Sequence, residues 1–300
     1  MKALEHTPGA TVIAAVDLDL PRPLTFRGSD VPVYKTLPDA AAWHRPHVMV
    51  ISTPTRTHPA VCDEAAEYFP EAKLLVEKPA ADNLADARRL VTGTAARKPV
   101  QVAFHMAYSP EVTWALGVAG ARGGEFGPPT GIQSFHADPY ETDFDSARSR
   151  LGTSWIDTGI NALSVIDRFA TVVERKSLVS LGGPSWCAFE GTFSCQARET
   201  SVDAVLMTSW HVTAPARSTR IRYASGTELI MDHTAVAGYV VQDGRIADIF
   251  GSDGLVPRRE LHYRALYQSW LNDKQEIFPV AHSLRLHELL LRPADKAGAR

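Results

Sequence analysis

The chain has 300 residues, enough for two domains of ordinary size, and its formal net charge of -3 with 22% charged residues lacks the basic excess of a nucleic-acid or acidic-membrane binder. No apolar run approaches the roughly 20 residues needed to span a bilayer, and "MKALEHTPGA" carries a charge, a His and a Pro where a signal peptide would be apolar. Cys62, Cys187 and Cys195 lack metal-type spacing, which predicts reduced thiols in a cytoplasmic protein and no metal site.

In chain order, the opening reads as the tail of a helix, a Pro-Gly turn and a strand, "TVIAAV" (11–16), stopped by Asp17. That sequence of elements is the second half of a dinucleotide-binding βαβ unit, and no G-x-G-x-x-G turn precedes it. Next come a strand at "VPVYKT" (31–36), a helix from "LPDAAAW" (37–43) and a continuous apolar strand, "HVMVIST" (47–53). A helix over 57–69, a buried strand at "AKLLVEKP" (72–79), a helix over 83–97 with Asn83 as N-cap and a strand at "VQVAFHM" (100–106) complete the alternation. This is the pattern of a doubly wound parallel sheet. After residue 108 the pattern changes to helices over 109–120 and 154–171, a strand-rich region with a hairpin turn at Asp243-Gly244, and closing helices over about 260–273 and 282–292. The expected fold is α/β. An incomplete Rossmann-type domain lacking its first strand and glycine turn (1–107) precedes an α+β domain with an open, mostly antiparallel sheet (108–300).

Three stretches are placed to carry chemistry. In "VISTPTRTHP" (50–59), Ser52, Thr53 and Pro54 follow a buried strand where a nucleotide lies in open α/β sheets, with His58 in the first helical turn; a plain strand-to-helix loop fits the same residues. In "LLVEKPAA" (74–81), Glu77 and Lys78 arrive at the end of a buried strand, where a lysine serves proton transfer or bonds a substrate hydroxyl; a solvated charge pair is the alternative. In "WIDTGINALSVID" (155–167), Asp157 and Asn161 are four residues apart and share one helix face, able to hold and deprotonate a sugar hydroxyl; alternatively Asp157 caps the helix and Asn161 is exposed. His105 ends the last parallel strand, as a site residue or a structural hydrogen-bonder.

These motifs, in this order, resemble the glucose-fructose oxidoreductase/inositol dehydrogenase/MocA family. The E-K-P motif is followed about eighty residues later by D-x-G-x-[HN], and the likeness is sharpest over residues 48–168. The resemblance implies that Lys78 is the catalytic lysine beside the nicotinamide, Asp157 the helix-borne acid, and Asn161 the occupant of a place where many members carry His. Asn is no general base, so proton removal falls to Asp157 or Lys78. Within the family, "DTGINALS" is most similar to D-galactose/L-arabinose 1-dehydrogenases, which implies oxidation of an aldose C1 hydroxyl to a lactone, with Lys78, His105, Asp157 and Asn161 lining the sugar. Cofactor contacts would come from Asp17, Ser52, Thr53, Pro54, His58, Glu77 and Lys78, with NAD favoured over NADP because Asp17 prefers a free 2′-hydroxyl. Loops such as 138–150 would set sugar specificity.

Relative to this pattern the chain is expected to be N-terminally truncated, which opens a gap between the second and fourth strands of the order 3-2-1-4-5-6. The alternative function is a non-catalytic sugar sensor or scaffold on the same fold; a redox-neutral reaction on a sugar is a third. The open sheet implies a homodimer or homotetramer.

Overall fold

The strand read from "KLLVE" sits between two others because its middle is wholly apolar: Leu74, Leu75 and Val76 are completely buried, as in a parallel strand covered on both faces. The computed structural model describes residues 2–19, 23–93, 100–140, 148, 151–181, 187–271 and 279–292. Two compact units result, one formed by 1–103 with 263–285, the other by 104–262 with 286–300. Nearly all of the loop 141–150 lies outside the described residues, as does the end of the expected helix over 83–97.

In the first unit, helix α1 (Lys2–Glu5) leads through Gly9, at φ 78°, to strand β1 (Ala15–Val16). A hairpin of β2 (Leu24–Phe26) and β3 (Ser29–Val31) turns on Arg27 and Gly28, at φ 48° and 80°. Strand β4 (Val33–Tyr34) then pairs parallel with β1, Ala15 opposite Val33 and Val16 opposite Tyr34. The expected single strand over 31–36 is thus two pieces. Pro32, with no N–H, separates them while its carbonyl accepts from Ala15.

Helix α2 (Leu37–Ala41) is capped by Thr36, whose hydroxyl accepts from the Asp39 N–H. Strands β5 (Val48–Ile51), β6 (Lys73–Glu77) and β7 (Val100–Ala103) form a parallel ladder, with helix α3 (His58–Tyr68) packed on it. Helix α4 (Leu84–Thr92) packs on α3, and Asn83 caps α4, its side chain accepting from the Asp86 N–H.

Among the described residues no ladder joins β1 to β5. The consequence is visible in burial: Met49 and Val50 are only half-buried although the facing Leu74 and Leu75 of β6 are dry, and Ile13 and Val16 are 40% and 37% exposed. This also explains why the expected strand over 11–16 is only two residues long, since its sole partner is the two-residue β4. The described parallel strands therefore follow the order 3-2, then 4-5-6, of a Rossmann sheet.

The second unit is built on eight strands: β8 (Pro129–Ala137), β9 (Thr171–Ser180), β10 (Ala188–Ala197), β11 (Thr200–Ser209), β12 (Ala216–Tyr223), β13 (Glu228–Asp232), β14 (Ala237–Gln242) and β15 (Arg245–Gly251). Their order is β15-β14-β13-β12-β8-β11-β10-β9, antiparallel throughout except for the β8–β11 pair. The β14–β15 turn is Asp243-Gly244, at φ 51° and 71°. Helices α5 (Pro110–Phe126) and α6 (Ser154–Phe169) pack on the sheet, α5 over β13–β15 and α6 over β8–β11. Helix α7 (Arg258–Leu271) passes from the second unit into the residues of the first, and helix α8 (Val280–Leu291) returns.

A close approach fixes α6 to its sheet. The Trp155 ring stacks on Phe193 with centroids 6.0 Å apart, its indole N–H donates to the Leu290 carbonyl at 3.0 Å, and a Cβ added at Gly191 would overlap the ring. Gly191→Ala is expected to destabilise the protein by about 1–3 kcal/mol, because a fully packed indole cannot move aside. A lowered urea midpoint checks this.

Candidate functional site

In the first unit, the polar residues expected to face a nucleotide stand at the carboxyl ends of strands. Ser52, Thr53 and Pro54 follow β5 and are exposed. The Thr57 hydroxyl lies 2.7 Å from the Pro54 carbonyl oxygen and 2.9 Å from the Thr53 hydroxyl, holding the turn. His58 is buried: Nε2 is 2.8 Å from the Thr53 carbonyl and Nδ1 3.1 Å from the Pro79 carbonyl. Burial pushes its pKa below the ordinary value, against the opposing pull of those carbonyls. The neutral ring has one N–H, so it donates to one of the two carbonyls and packs against the other, lying between the turn after β5 and the turn after β6.

On the second of these turns, Glu77 accepts from the Tyr263 hydroxyl at 2.8 Å. Lys78 is half-buried and precedes a cis peptide bond to Pro79. Asp17, exposed at the end of β1, donates its N–H to the Tyr34 carbonyl and accepts from the Asp19 N–H.

In the second unit, Thr153 caps α6, its hydroxyl accepting from the Ile156 N–H at 3.1 Å, so Asp157 lies inside the first turns rather than at the cap. Asp157 and Asn161 are 8% and 7% exposed. The Asn161 side-chain oxygen is buried with no hydrogen-bond partner among the described residues, whereas the neighbouring Thr158 and Ser164 hydroxyls donate to main-chain carbonyls of the same helix. His105 is buried in a 3-10 turn (His105–Tyr108) after β7, its ring 5.7 Å from that of His262. The structure brings Ser52, Thr53, Pro54, His58 and Pro79 together in one unit, and places Asp157, Asn161 and His105 in the other.

Sequence reasoning missed a buried polar cluster in the second unit. Glu111, in the first turn of α5 and fully buried, accepts from the Ser109 hydroxyl at 2.6 Å and faces His233 Nδ1 at 2.8 Å and His262 Nε2 at 3.5 Å. His233 Nε2 in turn meets the Thr219 hydroxyl at 3.0 Å, and Thr219 meets Ser134 at 2.9 Å. Asp138 pairs with Arg217. The available signal was the inward series Ser134, His136, Asp138, polar at alternate positions where a half-buried strand should be apolar.

Burial pushes the Glu111 carboxyl up, but the hydrogen bond and charge of His233, with His262 and Ser109, outweigh it and leave the pKa below the ordinary range. Burial holds His262 at about 4, with Glu111 opposing and Arg258, His233 and Arg217 reinforcing the drop.

Residues 1–105 match the family model described as an oxidoreductase family with an NAD-binding Rossmann fold. Over these residues, about a third of the chain, the sequence is similar to the glucose-fructose oxidoreductase/inositol dehydrogenase/MocA family. Solved structures share the fold over most of the chain. An oxidoreductase domain protein from Kribbella flavida has a TM-score of 0.70 at 13% identity, covering 86% of this chain and 80% of that one. An inositol dehydrogenase homolog complexed with NAD+ from Azotobacter vinelandii has a TM-score of 0.68 at 14% identity, covering 88% and 80%. UDP-N-acetylglucosamine 3-dehydrogenase from Acidithiobacillus ferrooxidans has a TM-score of 0.65 at 17% identity, covering 87% and 81%. No curated protein sequence matches the chain. Among the described residues no group of His, Cys, Asp and Glu is arranged to hold a metal, and no helix is long and apolar enough to cross a membrane.

The fit of this family's Rossmann module to a dinucleotide is good at its two nucleoside ends. An exposed acid ends β1 and a polar turn with a half-buried lysine ends β5 and β6. Residues 1–16 contain a single glycine, Gly9, so the glycine turn that cradles a diphosphate is not among them.

The depressed pKa of His262 sets a pH dependence. A histidine neutral in the fold and protonated when unfolded destabilises the fold as pH falls below about 6.5, and the loss is complete near pH 4, amounting to roughly 3 kcal/mol. Urea midpoints of wild type are expected to fall between pH 7 and pH 4.5, and those of His262→Phe to fall less.

Proposed function

We propose that this protein is an NAD(P)-dependent dehydrogenase that oxidises a hydroxyl group of a sugar or polyol, the C1 hydroxyl of an aldose being the reading that the Asp157-x-Gly159-x-Asn161 motif supports best. The observation that carries it is the polar pair on α6: Asp157 and Asn161 are buried one turn apart, and an amide oxygen with no partner marks a helix face kept for a ligand rather than for packing.

Oxidation of an alcohol removes a proton from oxygen and a hydride from carbon. A bound nicotinamide supplies the hydride acceptor. Asp157 takes the hydroxyl proton, a role Asn161 cannot share because an amide does not titrate. Asn161 accepts and donates hydrogen bonds to neighbouring hydroxyls of the sugar, and the family resemblance gives Lys78 the part of the catalytic lysine. The roles follow the order of the motifs, each residue belonging to its own unit. Asp17 favours NAD over NADP by accepting from a ribose 2′-hydroxyl. His105 lines the sugar. The open sheet, with Val173, Val179, Ile246 and Ile249 exposed, supports a homodimer or homotetramer, and the three free cysteines support a cytoplasmic setting.

One observation favours a second reading. The unmet Asn161 amide oxygen serves a sugar that is only bound as well as one that reacts, so a sugar-sensing or scaffold role fits the same fold. Lys78→Ala separates the two. Absorbance of NADH or NADPH formed with a panel of aldoses and polyols is expected to show a loss of at least about 10²-fold with the urea midpoint unchanged. Retention of most of the activity removes Lys78 from the mechanism, and no turnover by wild type on any compound favours the sensor.

A further inference from the structure

Helix α7 opens on Arg258 and Arg259, at the end of a helix where cations work against the macrodipole. Neither arginine makes a hydrogen bond or ion pair among the described residues, although Arg258 is half-buried. Both lie within electrostatic reach of Arg217 on β12, whose guanidinium is held at about 10 by burial and by their two charges. Among the described residues the nearby acids are engaged: Asp138 pairs with Arg217, and Glu111 accepts from Ser109, faces His233 and attracts Arg258 by its charge. Three guanidinium groups thus lie within electrostatic reach of one another, and among the described residues no acid bonds Arg258 or Arg259.

A second, independent feature points into the same place. His262 lies one turn beyond Arg258, on the same face of α7, and is completely buried. Neither of its ring nitrogens makes a hydrogen bond among the described residues, Nε2 lying 3.5 Å from one oxygen of Glu111, and the second oxygen of Glu111 is likewise buried without one. Buried donors and acceptors left open beside these arginines are the features of a polar ligand's site, not of a closed core.

The position relative to α6 follows from the sheet. Ser154, in the first turn of α6, meets Thr208 at 3.1 Å; Thr208 stands beside His136 in the β8–β11 register, and His136 stands opposite Arg217 in the β8–β12 register. Two strand spacings, about 10 Å, separate Thr208, the partner of Ser154, from Arg217 within the sheet. That is the span of one small polyhydroxylated molecule.

We propose that Arg217, Arg258 and Arg259 bind an anionic group, a carboxylate or a phosphate, carried by the substrate, so that the substrate is a sugar acid or a sugar phosphate rather than a neutral sugar. The inference rests on the dehydrogenase reading for the word substrate, but the anion site itself does not. Arginine recognises both anions through paired N–H donors, which is why the two sources share one site.

Calorimetric titration of D-galactose, D-galacturonate and D-galactose 6-phosphate into the full chain at fixed ionic strength tests it. One of the two anionic compounds is expected to bind at least about tenfold more tightly than galactose, and which one does so identifies the anion. Arg258→Gln/Arg259→Gln is expected to erase that preference, Arg258→Lys/Arg259→Lys to restore part of it, and both to keep the wild-type urea midpoint. Equal binding of all three compounds, binding of none, or a preference that survives in the glutamine variant overturns the proposal. NADH formation is scored separately: anion binding without turnover retains this site and removes the dehydrogenase, whereas turnover of galactose with no anion preference does the reverse.

Discussion

The second unit depends on one constraint: α6 has almost no solvent face. Twelve of its sixteen residues are buried, so every polar group on it must find a partner in the protein or in a ligand. Trp155, Ile160, Leu163, Val165 and Ile166 supply the apolar burial that anchors it to the sheet. Thr158 and Ser164 return their hydroxyls to carbonyls of the same helix, and Ser154 bonds Thr208 on β11. The Asn161 amide oxygen is left over. An unmet buried acceptor costs about 1–3 kcal/mol, a cost that an apolar residue of similar size would avoid. Its persistence on the motif-bearing face is the signature of a residue kept for binding rather than for stability.

The first unit meets a different constraint. Its strands β5 and β6 deliver polar turns at their carboxyl ends, and a turn with exposed polar side chains needs a fixed backbone to be of use in binding. His58 supplies that by standing between the Thr53 and Pro79 carbonyls, donating to one and packed against the other. Glu77 is fixed in the same way by the Tyr263 hydroxyl on α7. The edges of β1 and β5, in contrast, carry partly exposed valines, and among the described residues no ladder joins them. Each is the free edge that a sheet ordinarily closes with another strand.

What could be read in the sequence divides along the range of the interactions. The Asn83 cap and the Asp243-Gly244 hairpin were legible because a cap and a tight turn are decided within four residues. The apolar runs of β5 and β6 announced a parallel sheet without help from the rest of the chain. The length of β1 was not legible, because it depends on how much of β4 is available to pair with it. Nor was the cluster around Glu111, whose hydrogen bond to His233 spans 122 positions in sequence; no local pattern carries that information. Asp157 and Asn161 were visible as a pair, but their burial, and the absence of a partner for one oxygen, came only from the helix packing of α6.

The most direct measurement is the urea midpoint of Asn161→Leu. If Asn161 is held for a ligand, removing its unmet amide leaves the fold as stable as wild type or raises the midpoint, since an apolar side chain of similar size fills the site without a buried polar group. A midpoint lowered by the equivalent of about 2 kcal/mol or more would mean that the amide stabilises the helix packing, and would contradict the assignment of this α6 face to binding.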